Sequence, residues 1–207
     1  ETILLNRGVT DTEKYLNLDE SCIQDYNDLN NMQEAVQCFL KHYEKQDKII
    51  VMPDSDCDGY TSSAMLYLYI KSLNQDYPIE YVMHQRPKTH GLNSQDVLIP
   101  DDTKLFIIAD ASTNDAKECN ELIEKGIDII ILDHHDSNYQ EELEEEINYQ
   151  TAENNNAIII NNQLSSNYKN KNLSGAGIAY RFLQALDEEL QTIGYHIDYA
   201  RGDYNLK

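Results

Sequence analysis

The chain has 207 residues, 37 of them acidic and 16 basic, for a formal net charge of −21 at pH 7. That length suits one α/β domain with a proper core, and the charge argues against a basic stripe that would grip duplex nucleic acid along its backbone. No apolar run approaches a membrane span, the segment Glu1–Arg7 lacks the basic region and long apolar core of a signal peptide, and Cys22, Cys38, Cys57 and Cys119 form no Cys-x-x-Cys pair, so reduced thiols and a cytoplasmic location are expected.

Residues 1–30 are polar and weakly periodic, a lead-in of short helix and loops. From Met32 to Gln46 the apolar positions Ala35, Val36, Phe39, Leu40 and Tyr43 fall on one face of an amphipathic helix. A buried strand over Lys48–Met52 follows, ended by Pro53. Asp58-Gly59 then turns the chain into a second helix with Leu66, Ile70 and Leu73 inward. Tyr81–Met83 reads as a short strand. Next comes a compact strand-helix-strand unit: Leu105–Ala109, Asn114–Lys125 and Asp128–Leu132. Asn114 is its expected N-cap and Gly126 its left-handed stop, with Ala116, Cys119, Leu122 and Ile123 inward. Such a unit is about the tightest that a right-handed parallel crossover allows. The acidic block Glu141–Glu146 reads as a solvated face. A fourth apolar run, Ala157–Ile160, leads to an Asn-rich loop and a helix from Ser174 to about Gln191, with Ala176, Ala179, Tyr180, Leu183 and Leu186 inward. The pattern predicts an open, mainly parallel sheet with helices on both faces. Fifteen tyrosines are spread without a cluster, so they suggest no base-stacking platform.

Three apolar runs end in groups that carry chemistry, and parallel sheets collect such groups beyond the carboxyl ends of their strands. Asp54, Asp56 and Asp58 follow the first strand, Asp110 follows Leu105–Ala109, and Asp133-His134-His135 follows Ile127–Leu132. Alternate residues of an extended segment share a face, so the first three carboxylates can converge on a hard cation. An EF-hand loop is rejected, because its twelfth position is Met65 and not Glu. A haloacid-dehalogenase-type phosphatase, with Asp56 as nucleophile and Asp58 as acid, fits that segment but leaves the histidine pair unexplained. Adjacent imidazoles at a strand end are expected to diverge, one to a metal and the other to a phosphate or a proton. Asp110 alone after its strand suits a bridge between two metals. Arg86 and His90 could grip phosphate, as could backbone amides at Ser174-Gly175-Ala176-Gly177, although an ordinary loop and close helix packing explain those residues as well.

In this order, Asp-x-Asp-x-Asp-Gly, lone Asp, Asp-His-His and Leu-Ser-Gly-Ala-Gly-Ile-Ala-Tyr, the motifs resemble the DHH phosphoesterase superfamily. The segments Leu4-Leu5-Asn6-Arg7-Gly8-Val9 and Arg86…His90-Gly91-Leu92-Asn93 resemble its RecJ branch of single-strand-specific exonucleases. The resemblance implies two Mn²⁺ or Mg²⁺ ions held by Asp54, Asp56, Asp58, Asp110 and His134, with Asp110 bridging. His135 becomes the phosphate-facing histidine, Asp133 its orienter, and Arg86, His90, Ser174, Gly175 and Gly177 the substrate-phosphate contacts. It also implies single-stranded DNA as substrate, cut from its 5′ end.

The expected organisation is a lead-in over residues 1–30 and a DHH catalytic domain over 31–207. The family's fourth-motif Asp and its Gly-Gly-Gly-His domain are expected to lie further on, since Asp198 and Asp203 follow no apolar strand. Two rival readings remain. One is a DHH phosphodiesterase for short oligonucleotides, cyclic dinucleotides or other small phosphates. The other is a metal-free scaffold in a replication assembly, against which the intact acidic and histidine motifs argue.

Overall fold

The computed structural model describes residues 2–19, 22–86, 90–92, 97–137 and 156–194. The expectations for Asn93, Glu141–Glu146, Asp198 and Asp203 lie outside them.

Two short helices, α1 (Thr2–Asn6) and α2 (Thr12–Leu16), bury nothing, and a 3-10 turn spans Tyr26–Asp28. The core begins at Leu29 and Met32, both nearly inaccessible. Helix α3 (Met32–Glu44) buries all five residues that its periodicity singles out. Strand β1 (Ile49–Pro53), helix α4 (Cys57–Leu73), strand β2 (Ile79–Tyr81), strand β3 (Leu105–Ala109), helix α5 (Ala116–Ile123), strand β4 (Asp128–Asp133), strand β5 (Ile158–Asn161) and helix α6 (Gly175–Thr192) follow.

The five strands form one parallel sheet in the order β2-β1-β3-β4-β5. Their side chains alternate between its faces. Ile49, Val51, Ile107 and Ile130 pack under α3, α4 and α6, whereas Ile50, Met52, Ile108 and Ile131 pack against α5 and Leu92. Both faces are therefore covered, which is why the strands are unbroken runs of Ile, Val and Leu.

Three boundaries differ from the sequence expectation. Strand β2 begins at Ile79, two residues early, because Ile79 to Tyr81 register with Ile49 to Val51. Helix α4 already includes Cys57, so Asp58-Gly59 lies within its first turn and is no turn before it. Gly59 is there for close approach: a Cβ would sit 2.6 Å from the Asp54 backbone. The residue preceding α5 is Asp115, while Asn114 Nδ2 donates instead to the Asp136 carbonyl. Gly126 does stop that segment, at φ +83°. On α6 the buried stripe also takes in Ile178, Phe182 and Ala185, with Ala176 and Tyr180 at its margin.

From β1 the chain crosses first to β2 on one side and later to β3 on the other. The carboxyl ends of β1 and β3 thus flank a topological switch point, where such sheets open a crevice. Asp54 and Asp110 are the first residues beyond those two ends.

Candidate metal centre

Asp54, Asp56 and Asp58 converge, though not along an extended segment. Asp54 follows β1 directly and is buried. Asp56 is the N-cap of α4, its Oδ1 accepting from the Gly59 amide at 3.0 Å. That bond holds the Asp56 carboxyl below the usual range. Asp58 lies in the first turn of α4 and meets the N-terminus of α6: the Gly175 amide donates to Oδ2 at 2.9 Å and the Ala176 amide to Oδ1 at 2.8 Å. A helix N-terminus is a natural seat for a carboxylate. Here the anion it holds is the protein's own. The Gly177 amide is engaged too, by Ser174 Oγ as the helix cap. Gly175 leaves room for Asp110, since a Cβ there would sit 2.6 Å from Asp110 Cγ.

Asp110 is 1% exposed, and its backbone is left-handed at φ 68°. An L-residue holds that conformation at a cost of roughly 1–2 kcal/mol, which the surroundings must enforce. The Asp110 amide donates to the Leu132 carbonyl at 2.7 Å, tying the β3 terminus to β4. Burial, reinforced by Asp58 and Asp56, pushes the Asp110 carboxyl up to about 8. Its Oδ1 and the Oδ1 of Asp54 are buried without a hydrogen-bond partner. His134 Nε2 lies 3.1 Å from Asp110 Oδ1 and 3.7 Å from Asp58 Oδ2. That approach lacks hydrogen-bond alignment.

The two imidazoles do not diverge. The chain bends immediately after β4, and Asp133 Oδ1 accepts both the His134 and the His135 amides, at 2.7 and 3.2 Å. The rings lie 4.5 Å apart, and both belong to one group with Asp110 whose potential ligand atoms all fall within 4.8 Å. His135 Nδ1 also sits 2.7 Å from Asp133 Oδ1. Bonding to Asp133, over the opposing effect of burial, raises the His135 imidazole to about 9. Burial would raise Asp133, but its bonds from His135 and the Thr113 amide bring it down to about 2. The pair is an ion pair at neutral pH.

His90 Nδ1 lies 2.8 Å from Asp54 Oδ2, with its ring edge-on to His135 at 4.9 Å. Arg86 is exposed. Several positioning residues escape a reading of the sequence. Asn161 Nδ2 donates to Thr113 Oγ1 and to the His135 carbonyl, at 2.9 and 3.0 Å. Gln163 Nε2 donates to the His134 carbonyl at 3.2 Å and to the Lys171 carbonyl at 2.7 Å. Lys171 Nζ in turn gathers the carbonyls of Asn162 and Ser165 at 2.6 and 2.8 Å. His84 braces the other side, with Nδ1 3.1 Å from Ser55 Oγ and Nε2 2.7 Å from the Gly91 carbonyl.

A second close group, Asp54, Asp56 and Asp110, shares Asp110 with the histidine group. Carboxylate oxygens with imidazole nitrogen suit Mn²⁺ or Mg²⁺ more than a soft ion. Two buried carboxylate oxygens without partners are what a cation would satisfy. Residues 48–201 match the family described as "DHH family, N-terminal domain". The chain belongs to the DHH family.

Among relatives, YorK is an SPbeta prophage-derived protein of Bacillus subtilis (strain 168) provisionally named a single-strand DNA-specific exonuclease. It is 41% identical over 189 residues, 91% of this chain and 30% of its own length. The single-stranded-DNA-specific exonuclease RecJ of the same organism is 26% identical over 202 residues, 91% of this chain and 23% of its own. The chain thus spans under a third of these relatives. A crystal structure of exonuclease RecJ bound to manganese shares the fold at TM-score 0.64 and 22% identity, over 82% of this chain and 40% of that one. RecJ of Thermus thermophilus in complex with Mn²⁺ gives 0.63 and 21%, over 91% and 24%. The parallel α/β architecture of this DHH chain is that of the RecJ DHH domain.

Proposed function

We propose that the protein is a metal-dependent phosphodiester hydrolase that degrades single-stranded DNA from its 5′ end. Asp54, Asp56, Asp58, Asp110 and His134 would hold two Mn²⁺ or Mg²⁺ ions. The observation that carries this reading is the pair of buried, unpartnered carboxylate oxygens of Asp54 and Asp110, within a cluster that His134 Nε2 enters from the end of the neighbouring strand β4. Asp110 belongs to both close groups, which suits it to bridge. When bound, such ions supply a nucleophile and offset charge on the phosphate.

The chain's own residues supply orientation and a proton. Asp133 holds His135 by Nδ1, which leaves Nε2 to present its N–H to a phosphate oxygen. Asp133 holds this imidazole above its ordinary range in the metal-free protein, and a protonated His135 would offset phosphate charge and could donate its proton to the departing oxygen. His90 and Arg86 extend the phosphate contact along the substrate. Gly175, Gly177 and Ser174 act one step back: the Gly175 and Ala176 amides fix Asp58, and Ser174 Oγ, accepting from the Gly177 amide, caps α6.

The test is Mn²⁺-dependent release of mononucleotides from 5′-phosphorylated single-stranded DNA. Asp110→Ala is expected to lower it by more than about 100-fold. Metal-dependent cleavage unchanged by that substitution would contradict the mechanism. The net charge of −21 favours a second reading, in which the same site takes short oligonucleotides or other small phosphates. Faster turnover of a dinucleotide than of a long strand would select it.

A further inference from the structure

A third group of potential ligands sits at the opposite end of the sheet. Cys38 and His42 lie one turn apart on α3, hence on one face. Asp128 opens β4, and its carboxylate, the Cys38 thiol and a His42 ring nitrogen all fall within 4.8 Å of one another. Asp128 and Asp133 are five strand residues apart, so roughly 16 Å separates this group from the catalytic end.

The histidine is held as a ligand would be. His42 is 5% exposed, with Nδ1 2.8 Å from Asp47 Oδ2 and Nε2 2.9 Å from Asp128 Oδ2. Asp47 is brought back under it by the turn that ends α3: Gln46 is left-handed at φ 56°, and the Asp47 amide donates to the His42 carbonyl at 3.0 Å. Tyr77 Oη locks that turn by donating to the carbonyls of His42 and Asp47, at 3.1 and 2.9 Å. A carboxylate on one imidazole nitrogen, with the other nitrogen facing a ligand group, is the usual support of a metal-bound histidine. Burial keeps the Cys38 thiol protonated, up to about 11.

We propose that Cys38, His42 and Asp128 form a separate zinc site, with Asp47 orienting His42 and a water completing a tetrahedral shell. One thiolate, one imidazole and one carboxylate select Zn²⁺ over the hard ions of the catalytic end. Binding transfers the Cys38 thiol proton to solvent as the sulfur–zinc bond forms. Lys41, which now pairs with Asp128, is half exposed and swings off into water at little cost. The ion would staple the end of α3 to the start of β4.

The test uses Co²⁺ as a spectroscopic substitute for Zn²⁺, with Mg²⁺ in excess to occupy the oxygen-rich centre. One equivalent of Co²⁺ is expected to give a thiolate-to-cobalt charge-transfer band and the visible absorption of a four-coordinate ion, both displaced by Zn²⁺. Cys38→Ser removes the charge-transfer band, Asp47→Asn weakens binding about tenfold, and Asp110→Ala leaves the band in place. Absence of the band in the unsubstituted protein overturns the proposal without reference to any variant's folding. A band that survives Cys38→Ser overturns it too, because the thiol would then be another, such as exposed Cys57.

Discussion

At Asp110 a left-handed backbone, almost complete burial and neighbouring carboxylates act on one side chain. Its folded-state carboxyl is raised, so its contribution to stability is present below the ordinary carboxylate range and is lost as pH rises through about 8. In metal-free protein, Asp110→Asn should therefore gain over the unsubstituted chain as pH rises, by on the order of 2 kcal/mol at pH 9 and almost nothing at pH 4. Urea unfolding with a chelator at the two pH values checks this, and an equal difference at both would count against it. The His135–Asp133 pair has the opposite signs on its two members. Its stabilisation is complete between the ordinary carboxylate and imidazole ranges, fades as pH falls towards 2, and is lost as pH rises through about 9. An imidazole NMR titration of metal-free protein should place His135 near 9. Asp133→Asn should lower it by at least about one unit. At this scale the sequence showed which residue types gather, but not their directions. The histidines were expected to diverge, and the bend that turns both rings to Asp110 depends on Asp133 accepting two successive amides, a contact that spacing does not reveal.

Strand ends set the geometry that those residues share. Strands β3 and β4 were legible nearly to the residue, since runs buried on both faces are unambiguous once glycine and charged residues bound them. Strand β2 was not, because its limits come from pairing with β1 and not from its own composition. Asn161 and Gln163 were read as part of an Asn-rich loop, although they clamp the carbonyls of the two histidines. Only their position at and just beyond the end of a buried apolar run could have marked them. Asn161→Ala should reduce metal-dependent turnover by roughly 10–100-fold while costing only about 1–2 kcal/mol of stability. Turnover assays beside thermal melts separate the two effects. Gly175→Ala should abolish high-affinity Mn²⁺ binding with the fold retained, because the added methyl takes the space of the Asp110 carboxyl. Calorimetry with circular dichroism would reveal either outcome.

Across the whole molecule, the sheet order places the switch point, and the switch point places the acids. Crossing from β1 to β2 on one side and reaching β3 on the other opens the crevice that Asp54 and Asp110 flank, while β4 delivers His134 from the next position. The overall charge of −21 acts in the same direction, concentrating cations and not polyanions. The affinity of this chain for single-stranded DNA should accordingly vary little with salt, with a log–log slope of about 2 or less. One carboxylate serves both halves of the proposed centre, so the deciding measurement is a calorimetric titration with Mn²⁺ of the protein and of its Asp110→Ala variant. Binding at micromolar affinity or tighter that disappears in the variant is the predicted result; binding of equal strength in both would contradict the metal centre itself.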